Sequence, residues 1–148
     1  MQENNTMKNE LFLRSYKDSD CENVVKLWQE CGLVVPWNDP QADIARKMQV
    51  DPDLFVVGER NNVIVATVMG GYEGHRGWIN YLAVAPDMQR KGYGNTVMAE
   101  VERRLQAKGC PKVNLQVRTG NKDVIHFYQS LGYKVDDVVS LGKRFTED

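Results

Sequence analysis

The stretch from Val84 to Thr96 holds the residues of this chain that are best suited to chemistry. It leads from the end of an apolar run through a basic loop into a segment of helical spacing. Gly92 and Gly94 keep side-chain bulk out of the loop, so successive backbone N–H groups can turn toward an anion. The helix that follows adds the free N–H groups and the positive dipole end of its first turn. The side chains of Arg90 and Lys91 add two positive charges beside these N–H groups. The loop therefore predicts a pyrophosphate site.

Two common phosphate-binding signatures do not fit this loop. A Walker loop would end in Gly-Lys followed by Ser or Thr, and this loop does not. A dinucleotide fingerprint needs a third glycine where this chain has Val97, and an acidic residue about twenty positions further on. A glycine-rich turn that serves only packing is the structural alternative.

Two segments resemble motifs of the GNAT family of N-acetyltransferases. Gln89 to Gly94 resembles the Q/R-x-x-G-x-G/A signature, and Asn121 with residues 127–133 resembles the N-x(5)-F/Y-Y-x-x-L-G-F/Y element after the family's fifth strand. The resemblance covers about Leu11 to Leu141, and the chain looks like the compact bacterial members similar to ribosomal-protein N-terminal acetyltransferases. It implies transfer of an acetyl group from acetyl-CoA by direct attack in a ternary complex. The implied acceptor is a primary amine of a peptide N-terminus, a lysine or a small molecule.

The resemblance also implies which residues bind acetyl-CoA. In the family, the pantetheine arm and the acetyl group lie between the fourth and fifth strands, which splay apart. Main-chain groups of Leu82 and Val84 are expected to pair with them, and Asn121 is expected to touch the arm. The residues expected to surround the phosphates are Gln89, Arg90, Lys91, Gly92, Gly94, Asn95 and Thr96.

Acetyl transfer to an amine requires a deprotonated amine, a stabilised oxyanion and a protonated leaving thiolate. Tyr128 is expected to be the general acid. Its phenol, with an ordinary pKa of about 10, is protonated at neutral pH and suits a departing thiolate. The structural alternative is an aromatic anchor whose hydroxyl lies at the surface.

The sequence leaves the general base open. The fourth strand offers Asn80 and Tyr81, and the fifth offers Asn114 and Gln116. None of these is a carboxylic acid. Glu73, in the connection before the fourth strand, is the first choice, and a solvated loop carboxylate is its structural alternative. The other candidates for the base are His75 and a water chain held by Asn80 and backbone carbonyls. The missing strand carboxylate also keeps open a catalytically silent acyl-CoA-binding sensor or regulatory module.

The acceptor pocket is expected between the first two helices, their loop and the Gly70–Gly77 connection. In that loop, Pro36 to Asp39 is an aromatic and acidic cluster suited to a cationic amine. Packing of Trp37 and helix capping by Asp39 are the structural alternatives.

Apolar periodicity predicts the elements that position these groups. Strands are predicted around Leu11, over 54–57, 63–69, 78–84 and 113–117, and from Tyr133 onward. Helices are predicted over about 19–31, 39–50, 95–108 and 124–130. This order predicts an α/β (α+β) fold, and the family resemblance implies a mixed, mostly antiparallel sheet of six to seven strands with about four helices.

Length and composition bound the remaining expectations. The 148 residues predict a single domain over 1–148, with 1–8 as a frayed polar tail. A net charge of −1 gives no electrostatic case for a nucleic-acid partner. We expect no membrane partner and a cytoplasmic location, since no signal peptide or membrane-length apolar run is seen. Three cysteines without C-x-x-C spacing and two histidines predict no metal site, and the sequence allows a homodimer without requiring one.

Overall fold

The computed structural model describes residues 10–147, which form a five-stranded sheet and four α-helices. The strands are β1 (Phe12–Ser15), β2 (Phe55–Arg60), β3 (Val63–Tyr72), β4 (Gly77–Val84) and β5 (Val113–Leu115). The helices are α1 (Cys21–Glu30), α2 (Pro40–Lys47), α3 (Tyr93–Ala107) and α4 (Lys122–Ser130). The strands lie side by side in chain order, antiparallel except for the parallel pair β4–β5. The tail predicted at residues 1–8 lies outside the described residues.

The predicted fold class is confirmed, but the prediction of six to seven strands is wrong. From Tyr133 onward the chain forms no strand within the described residues. The apolar residues there do not alternate as a strand requires, because two aspartates separate Val135 from Val138, and both valines are exposed. The segment instead runs past β5, where the Lys112 ammonium lies 3.1 Å from the Asp136 carboxylate.

Helices cover both faces of the sheet, and each face has its own apolar cluster. One cluster contains Trp28 of α1 and Phe55 of β2, and the other contains Met98 of α3. Successive β2 residues point to opposite clusters, Val57 to the first and Val56 to the second, as the strand pleat requires. This two-sided burial explains why β2 and β3 read as continuous apolar runs.

An ion-pair cluster ties β1 to the turn before α1. The Arg14 guanidinium donates to the Asp20 carboxylate at 2.7 and 2.9 Å and to Glu59 of β2 at 2.8 Å. The backbone N–H of Lys17 also donates to Asp20, at 2.9 Å. Burial alone would raise the pKa of Asp20, but the hydrogen bonds from Arg14 and Lys17 outweigh it and hold this pKa below its usual range.

We expect Asp20→Asn to lower the free energy of unfolding at neutral pH by about 1–3 kcal/mol, since Arg14 loses one of its carboxylate partners. A lowered folded-state pKa stabilises the fold above the unfolded-state pKa of about 4, and this contribution disappears as the pH falls. Urea unfolding should therefore show a smaller difference between wild type and variant at pH 3 than at pH 7. An equal difference at both pH values would contradict this assignment.

Candidate active site

The sheet opens into a fork between β4 and β5. The parallel ladder joins only Gly77–Ile79 to Val113–Leu115. β4 continues to Val84, whereas β5 ends at Leu115. Within the described residues, the second half of β4 therefore has no strand partner on its β5 side, as the family resemblance implied.

Backbone groups at the end of β4 point into this fork. Ala66 faces Val84 across the ladder, and the N–H of Ala85 donates to the carbonyl of Val65 at 2.8 Å. This pattern marks a non-hydrogen-bonded pair, so the N–H and C=O of Val84 point away from β3 and toward the β5 side. The Val84 carbonyl accepts a hydrogen bond from Gln89 Nε2 at 3.1 Å, which ties the following loop to the strand end.

A β-bulge interrupts β4 beside the fork. The register shifts between Asn80 and Ala83, so that Tyr81 and Leu82 together face Val68 of β3. Tyr81 has a φ of +52°, a left-handed conformation that is rare for a bulky residue. Bulges re-aim neighbouring groups and are over-represented next to active sites. The bulge places Leu82 where the sheet begins to open.

Side chains from α1, α2 and β3 hold Tyr81 in this conformation. The fully buried Thr67 hydroxyl donates to the Tyr81 carbonyl at 2.9 Å and accepts from Trp28 Nε1 at 2.9 Å. The Tyr81 and Trp28 rings stack with centroids 3.8 Å apart, and the Tyr81 hydroxyl donates to Asp43 Oδ2 at 2.6 Å. Burial, and then this hydrogen bond, raise the pKa of Tyr81. This network was not predictable from the sequence, because no motif marks its members.

The loop after β4 has the backbone of an anion site. Arg90 and Gly92 are left-handed, with φ of +66° and +82°, and Lys91 lies between them. Alternation of this kind turns successive N–H groups toward one side, as in anion-binding nests. α3 starts at Tyr93, and no side chain caps its first turn. The exposed side chains of Arg90 and Lys91 add positive charge beside those N–H groups.

The first turn of α3 packs closely on α4. A Cβ atom at Gly94 would lie 3.0 Å from Cζ and 3.2 Å from Cε1 of Phe127, so a larger residue does not fit without movement. The two segments that carry the family resemblance therefore touch at this point. Asn95 and Thr96 are exposed on the same turn, and the Thr96 hydroxyl donates to the carbonyl of Gly92 at 3.0 Å.

Tyr128 lies on the inner face of α4 and is only 8% exposed. It belongs to the apolar cluster on which Leu82 of β4 packs, and its ring makes edge contacts with Phe127 and Tyr133 at 5.2 and 5.7 Å. Its hydroxyl makes no hydrogen bond to any residue in the range 10–147. Burial raises the pKa of Tyr128 to about 12, so the hydroxyl is a protonated donor without an internal acceptor.

Asn121 immediately precedes α4. Its backbone N–H donates to the carbonyl of Arg118 at 2.9 Å, in the turn that redirects the chain from β5 into the helix. Its side chain is exposed and caps no N–H group of α4. The amide is therefore free to contact a ligand near the end of β5.

Glu73 lies in the turn between β3 and β4, at the opposite end of β4 from Val84. Its carboxylate accepts the N–H of His75 at 2.9 Å and so stabilises its own turn. The adjacent Tyr72 hydroxyl donates to the carbonyl of Gly109 at 3.4 Å, which places this turn near the C-terminal end of α3. The anion loop lies at the other end of that 15-residue helix, about 22 Å away along its axis. The structure thus separates Glu73 from the other predicted site residues.

A pocket of about 680 Å³ lies between α2 and the C-terminal segment, next to the β4 bulge. Its lining residues are Asn38, Asp43, Arg46, Gly142, Lys143, Arg144, Phe145 and Thr146. Asn38 of the loop before α2 lines this pocket, whereas no residue of Gly70–Gly77 does. The C-terminal segment forms its opposite wall.

The residues of the aromatic and acidic cluster Pro36 to Asp39 make separate contacts and do not face one common site. Asp39 caps α2 by accepting two backbone N–H groups of its first turn at 3.0 and 3.2 Å. The Trp37 ring packs under the guanidinium of Arg118, with 5.3 Å from the guanidinium carbon to the ring centroid. Asn38 is the member of this cluster that lines the pocket.

Three further observations concern metals, disulfides and membranes. Residues 10–147 contain no group of three or more His, Cys, Asp or Glu side chains placed to hold a metal ion. Cys21, Cys31 and Cys110 are free thiols. Within the same residues, every helix is too short or too polar to span a bilayer.

Comparison with known proteins decides the family. Residues 21–133 match the profile of the Acetyltransferase (GNAT) family. This chain belongs to the GNAT family. A GNAT relative from Pectobacterium atrosepticum, named as an acetyltransferase, is 48% identical over 136 residues, which cover 92% of this chain and 96% of that protein. A protein of Yersinia pestis named as an N-acetyltransferase is 47% identical over 136 residues, with the same coverage of 92% and 96%.

Solved structures share the GNAT fold of this chain. Ard1 from Thermoplasma volcanium superimposes with a TM-score of 0.77 at 24% identity, covering 85% of this chain and 84% of that chain. AAC(6')-Iy, bound to the bisubstrate analogue CoA-S-monomethyl-acetylneamine, superimposes with a TM-score of 0.75 at 18% identity. The match covers 91% of this chain and 99% of that chain. The ribosomal-protein-S18-alanine N-acetyltransferase of Escherichia coli superimposes with a TM-score of 0.70 at 22% identity. The match covers 83% of this chain and 77% of that chain.

These comparisons confirm the GNAT resemblance drawn from Gln89–Gly94 and 127–133 and the predicted acetyltransferase class. At identities below 25%, the solved structures establish the shared fold alone. Membership of the GNAT family agrees with the prediction of acetyl-CoA as co-substrate.

Proposed function

We propose that this GNAT acetyltransferase transfers the acetyl group of acetyl-CoA to a primary amine that attacks directly in a ternary complex. The observation that carries the proposal is the position of the β4–β5 fork, which opens next to the Gln89–Gly92 loop. A long donor molecule can therefore place its phosphates at the start of α3 and its arm in the fork. Bound acetyl-CoA would supply the activated thioester.

The residues present fit such a donor. The left-handed residues Arg90 and Gly92 shape the loop, and the uncapped first turn of α3 offers N–H groups and a positive dipole end. A phosphate charge so placed gains roughly 0.3–1 kcal/mol, or about 2 kcal/mol where it is partly buried. Lys91, Asn95 and Thr96 are exposed around the same turn and would contact the phosphates.

The arm would lie against β4. We assign it to the main-chain groups of Leu82 and the N–H of Val84, with the Asn121 side chain as a further contact, because the Val84 carbonyl already accepts from Gln89 Nε2 and Cys31 Sγ. We assign Gln89 to positioning the phosphate loop. Its side-chain amide donates to the Val84 carbonyl and so fixes the loop to the strand end.

Tyr128 is assigned as the general acid, because its hydroxyl is protonated and has no internal acceptor, and its buried ring lies in the apolar cluster on which Leu82 of β4 packs. The contacts of Glu73 favour a turn-stabilising role over that of base. We therefore assign removal of the amine proton to water held at Asn80, whose exposed side chain adjoins the bulge. This is the route that needs no carboxylate on β4 or β5.

Calorimetry followed by steady-state kinetics tests this function. We expect acetyl-CoA to bind at one site per chain, and we expect CoA release to depend on an added primary amine. Donor binding without turnover of any amine in a broad panel would favour an acyl-CoA-binding sensor instead. A chain that binds neither acetyl-CoA nor CoA would overturn the proposal.

Gly94→Ala should weaken acetyl-CoA binding about three- to tenfold and change stability by less than about 1 kcal/mol, because the better helix propensity of alanine offsets the crowding. The added methyl group would lie 3.0 Å from the Phe127 ring, so the ring and the first turn of α3, whose N–H groups are assigned to the phosphates, must move apart by a few tenths of an ångström. Calorimetry and thermal unfolding measure the two effects. Gly120→Ala is the matched control, because a Cβ there meets open space and its φ is ordinary. Unchanged affinity in Gly94→Ala would remove this turn from the donor site.

A further inference from the structure

We propose that Asn114 of β5 binds the acceptor amine, with its side-chain carbonyl oxygen accepting an N–H of that amine beside the β4–β5 fork. This inference rests on the proposed acetyl transfer and adds a substrate-binding residue to it.

The proton balance of the reaction allows this hydrogen bond to persist. A primary ammonium has three N–H groups, and water removes one proton before the attack. The nitrogen then bonds to the acetyl carbon, the carbon–sulfur bond breaks and the thiolate takes the proton of Tyr128. The second amine proton leaves as the amide forms and returns through water to Tyr128. The third N–H stays in the product amide, so one N–H can remain on Asn114 throughout.

The side chain of Asn114 holds an unused hydrogen-bond acceptor. Its Oδ1 is buried and accepts no hydrogen bond from any residue in the range 10–147. Buried amide oxygens are nearly always paired, because an unpaired one has lost its hydration without compensation. Gln116, two residues further on, shows the ordinary case, since its side-chain amide donates to the Ser140 hydroxyl. An incoming N–H would therefore satisfy an oxygen that the described chain leaves unpaired.

Asn114 lies where the sheet begins to open. It pairs with Trp78 in the parallel ladder, and the next pair, Ile79 with Leu115, is the last one. Asn80, assigned above to hold the water that removes the amine proton, is the first β4 residue beyond this ladder. An amine bound to Asn114 would therefore adjoin both that water and the acetyl group expected in the fork.

The donor molecule and this acceptor oxygen lie on different faces of the sheet. Val113, Leu115 and Ile79 belong to the apolar cluster that α3 and α4 cover. The strand pleat therefore turns Asn114 to the other face, on which α1 and α2 pack. Leu82, to which the pantetheine arm is assigned, packs on the α3 side. An acceptor amine, and not an amide N–H of the arm, is accordingly the donor that Asn114 meets.

The neighbours of Asn114 on this face suit a cationic amine. Trp78, its partner in the ladder, is 37% exposed, and an indole ring attracts a cation placed over it. The exposed side chain of Asn80 adds a second amide on the same face. These neutral groups can recognise an N–H group and its charge without a carboxylate, in agreement with the absence of acidic residues from 77–84 and 113–117.

Asn114→Leu separates stability from substrate binding. Replacing the unpaired amide by an apolar side chain of similar size should raise the midpoint of thermal unfolding by about 3 °C or more. The same change should raise KM for the probe butylamine about tenfold and leave the dissociation constant of acetyl-CoA within about twofold. An unchanged KM for butylamine would overturn the inference, as would a loss explained entirely by weaker acetyl-CoA binding.

Asn114→Asp is the conservative variant, because it keeps an acceptor oxygen in the same place. KM for butylamine should stay within about threefold of wild type or fall, whereas the unfolding midpoint should drop, since a partly buried carboxylate lacks a partner until the amine binds. Asn23→Leu is the matched control, because Asn23 is exposed on α1, and it should leave KM unchanged. Equal increases of KM in the Leu and Asp variants of Asn114 would assign that residue to packing and overturn the inference.

Direct binding keeps this inference separate from the proposed function. The CoA-saturated chain is titrated with butylamine and with butyltrimethylammonium, which has the same charge but no N–H. We expect wild type to bind butylammonium at least fivefold more tightly, and we expect Asn114→Leu to lose this preference. Equal affinities in wild type, or the same preference in both chains, would overturn the inference. A chain that binds neither CoA nor acetyl-CoA would instead refute the proposed function, and titration of the chain alone would still decide the preference.

Discussion

Tyr128→Phe should lower kcat about a hundredfold while the fold keeps its stability. General acid catalysis typically contributes 10²–10⁴-fold, and the phenylalanine retains the ring that packs in the apolar cluster. The hydroxyl makes no hydrogen bond within residues 10–147, so its loss leaves no buried partner unsatisfied. Steady-state acetylation and thermal unfolding of wild type and variant measure the two quantities.

Tyr133→Phe is the matched control for this experiment. Tyr133 packs against Tyr128 with ring centroids 5.7 Å apart, but its hydroxyl donates to Glu102 at 2.6 Å. Its removal should lower stability by about 1 kcal/mol and leave kcat within a few-fold of wild type. The pKa of Tyr128, raised to about 12 by burial, also predicts that its deprotonation does not lower kcat between pH 6 and 10. A Tyr128→Phe enzyme with wild-type kcat would exclude Tyr128 as the acid.

Thr67→Val should lower the free energy of unfolding by about 2–4 kcal/mol and also reduce kcat/KM. The valine fills the same space, but it leaves the buried Trp28 N–H without its acceptor and the Tyr81 carbonyl without its donor. Each loss costs roughly 1–3 kcal/mol in a buried site. Because these bonds hold the left-handed residue of the bulge, we expect the end of β4 to lose its alignment with the fork.

Thr67→Ser separates the hydroxyl from the methyl group. It keeps both hydrogen bonds and should lose about 1 kcal/mol through the missing methyl, with kcat/KM close to wild type. Urea unfolding together with steady-state kinetics distinguishes the two variants. If valine and serine had equal effects on kcat/KM, the hydroxyl of Thr67 would have no part in shaping the site.

The parts of the candidate site that were predictable from the sequence are those determined by the conformational preferences of neighbouring residues in turns and at helix ends. The segment from Val84 to Tyr93 combines a strand end, a left-handed glycine and a helix start within a short stretch. Asp39 and Pro40 mark the start of α2 by the same kind of local chemistry. The G-x-G spacing singles out Gly94, but the tight contact of Gly94 with Phe127 belongs to tertiary packing and has no signal in the loop itself.

The groups on the acceptor side were not predictable, because tertiary contacts create them. Tyr81 adopts its positive φ through hydrogen bonds to residues of two other elements and ring stacking on a third, and nothing in the β4 sequence distinguishes it from an ordinary strand tyrosine. Glu73 is near the acceptor side in sequence but lies at the far end of β4 in space. The strand expected from Tyr133 onward was inferred from valine content, and two adjacent aspartates break the alternation that a strand needs.

The contact between Gly94 and Phe127 has a consequence for how the enzyme tolerates change. Phe127 touches the helix turn assigned to the donor phosphates, and its neighbour in the chain is the tyrosine assigned to protonate the leaving group. Acetyl-CoA affinity and turnover therefore both depend on the packing of Phe127 against Gly94. A substitution on α3 or α4 that changes this packing is expected to affect both quantities, and a second substitution on the other helix would be needed to restore the contact.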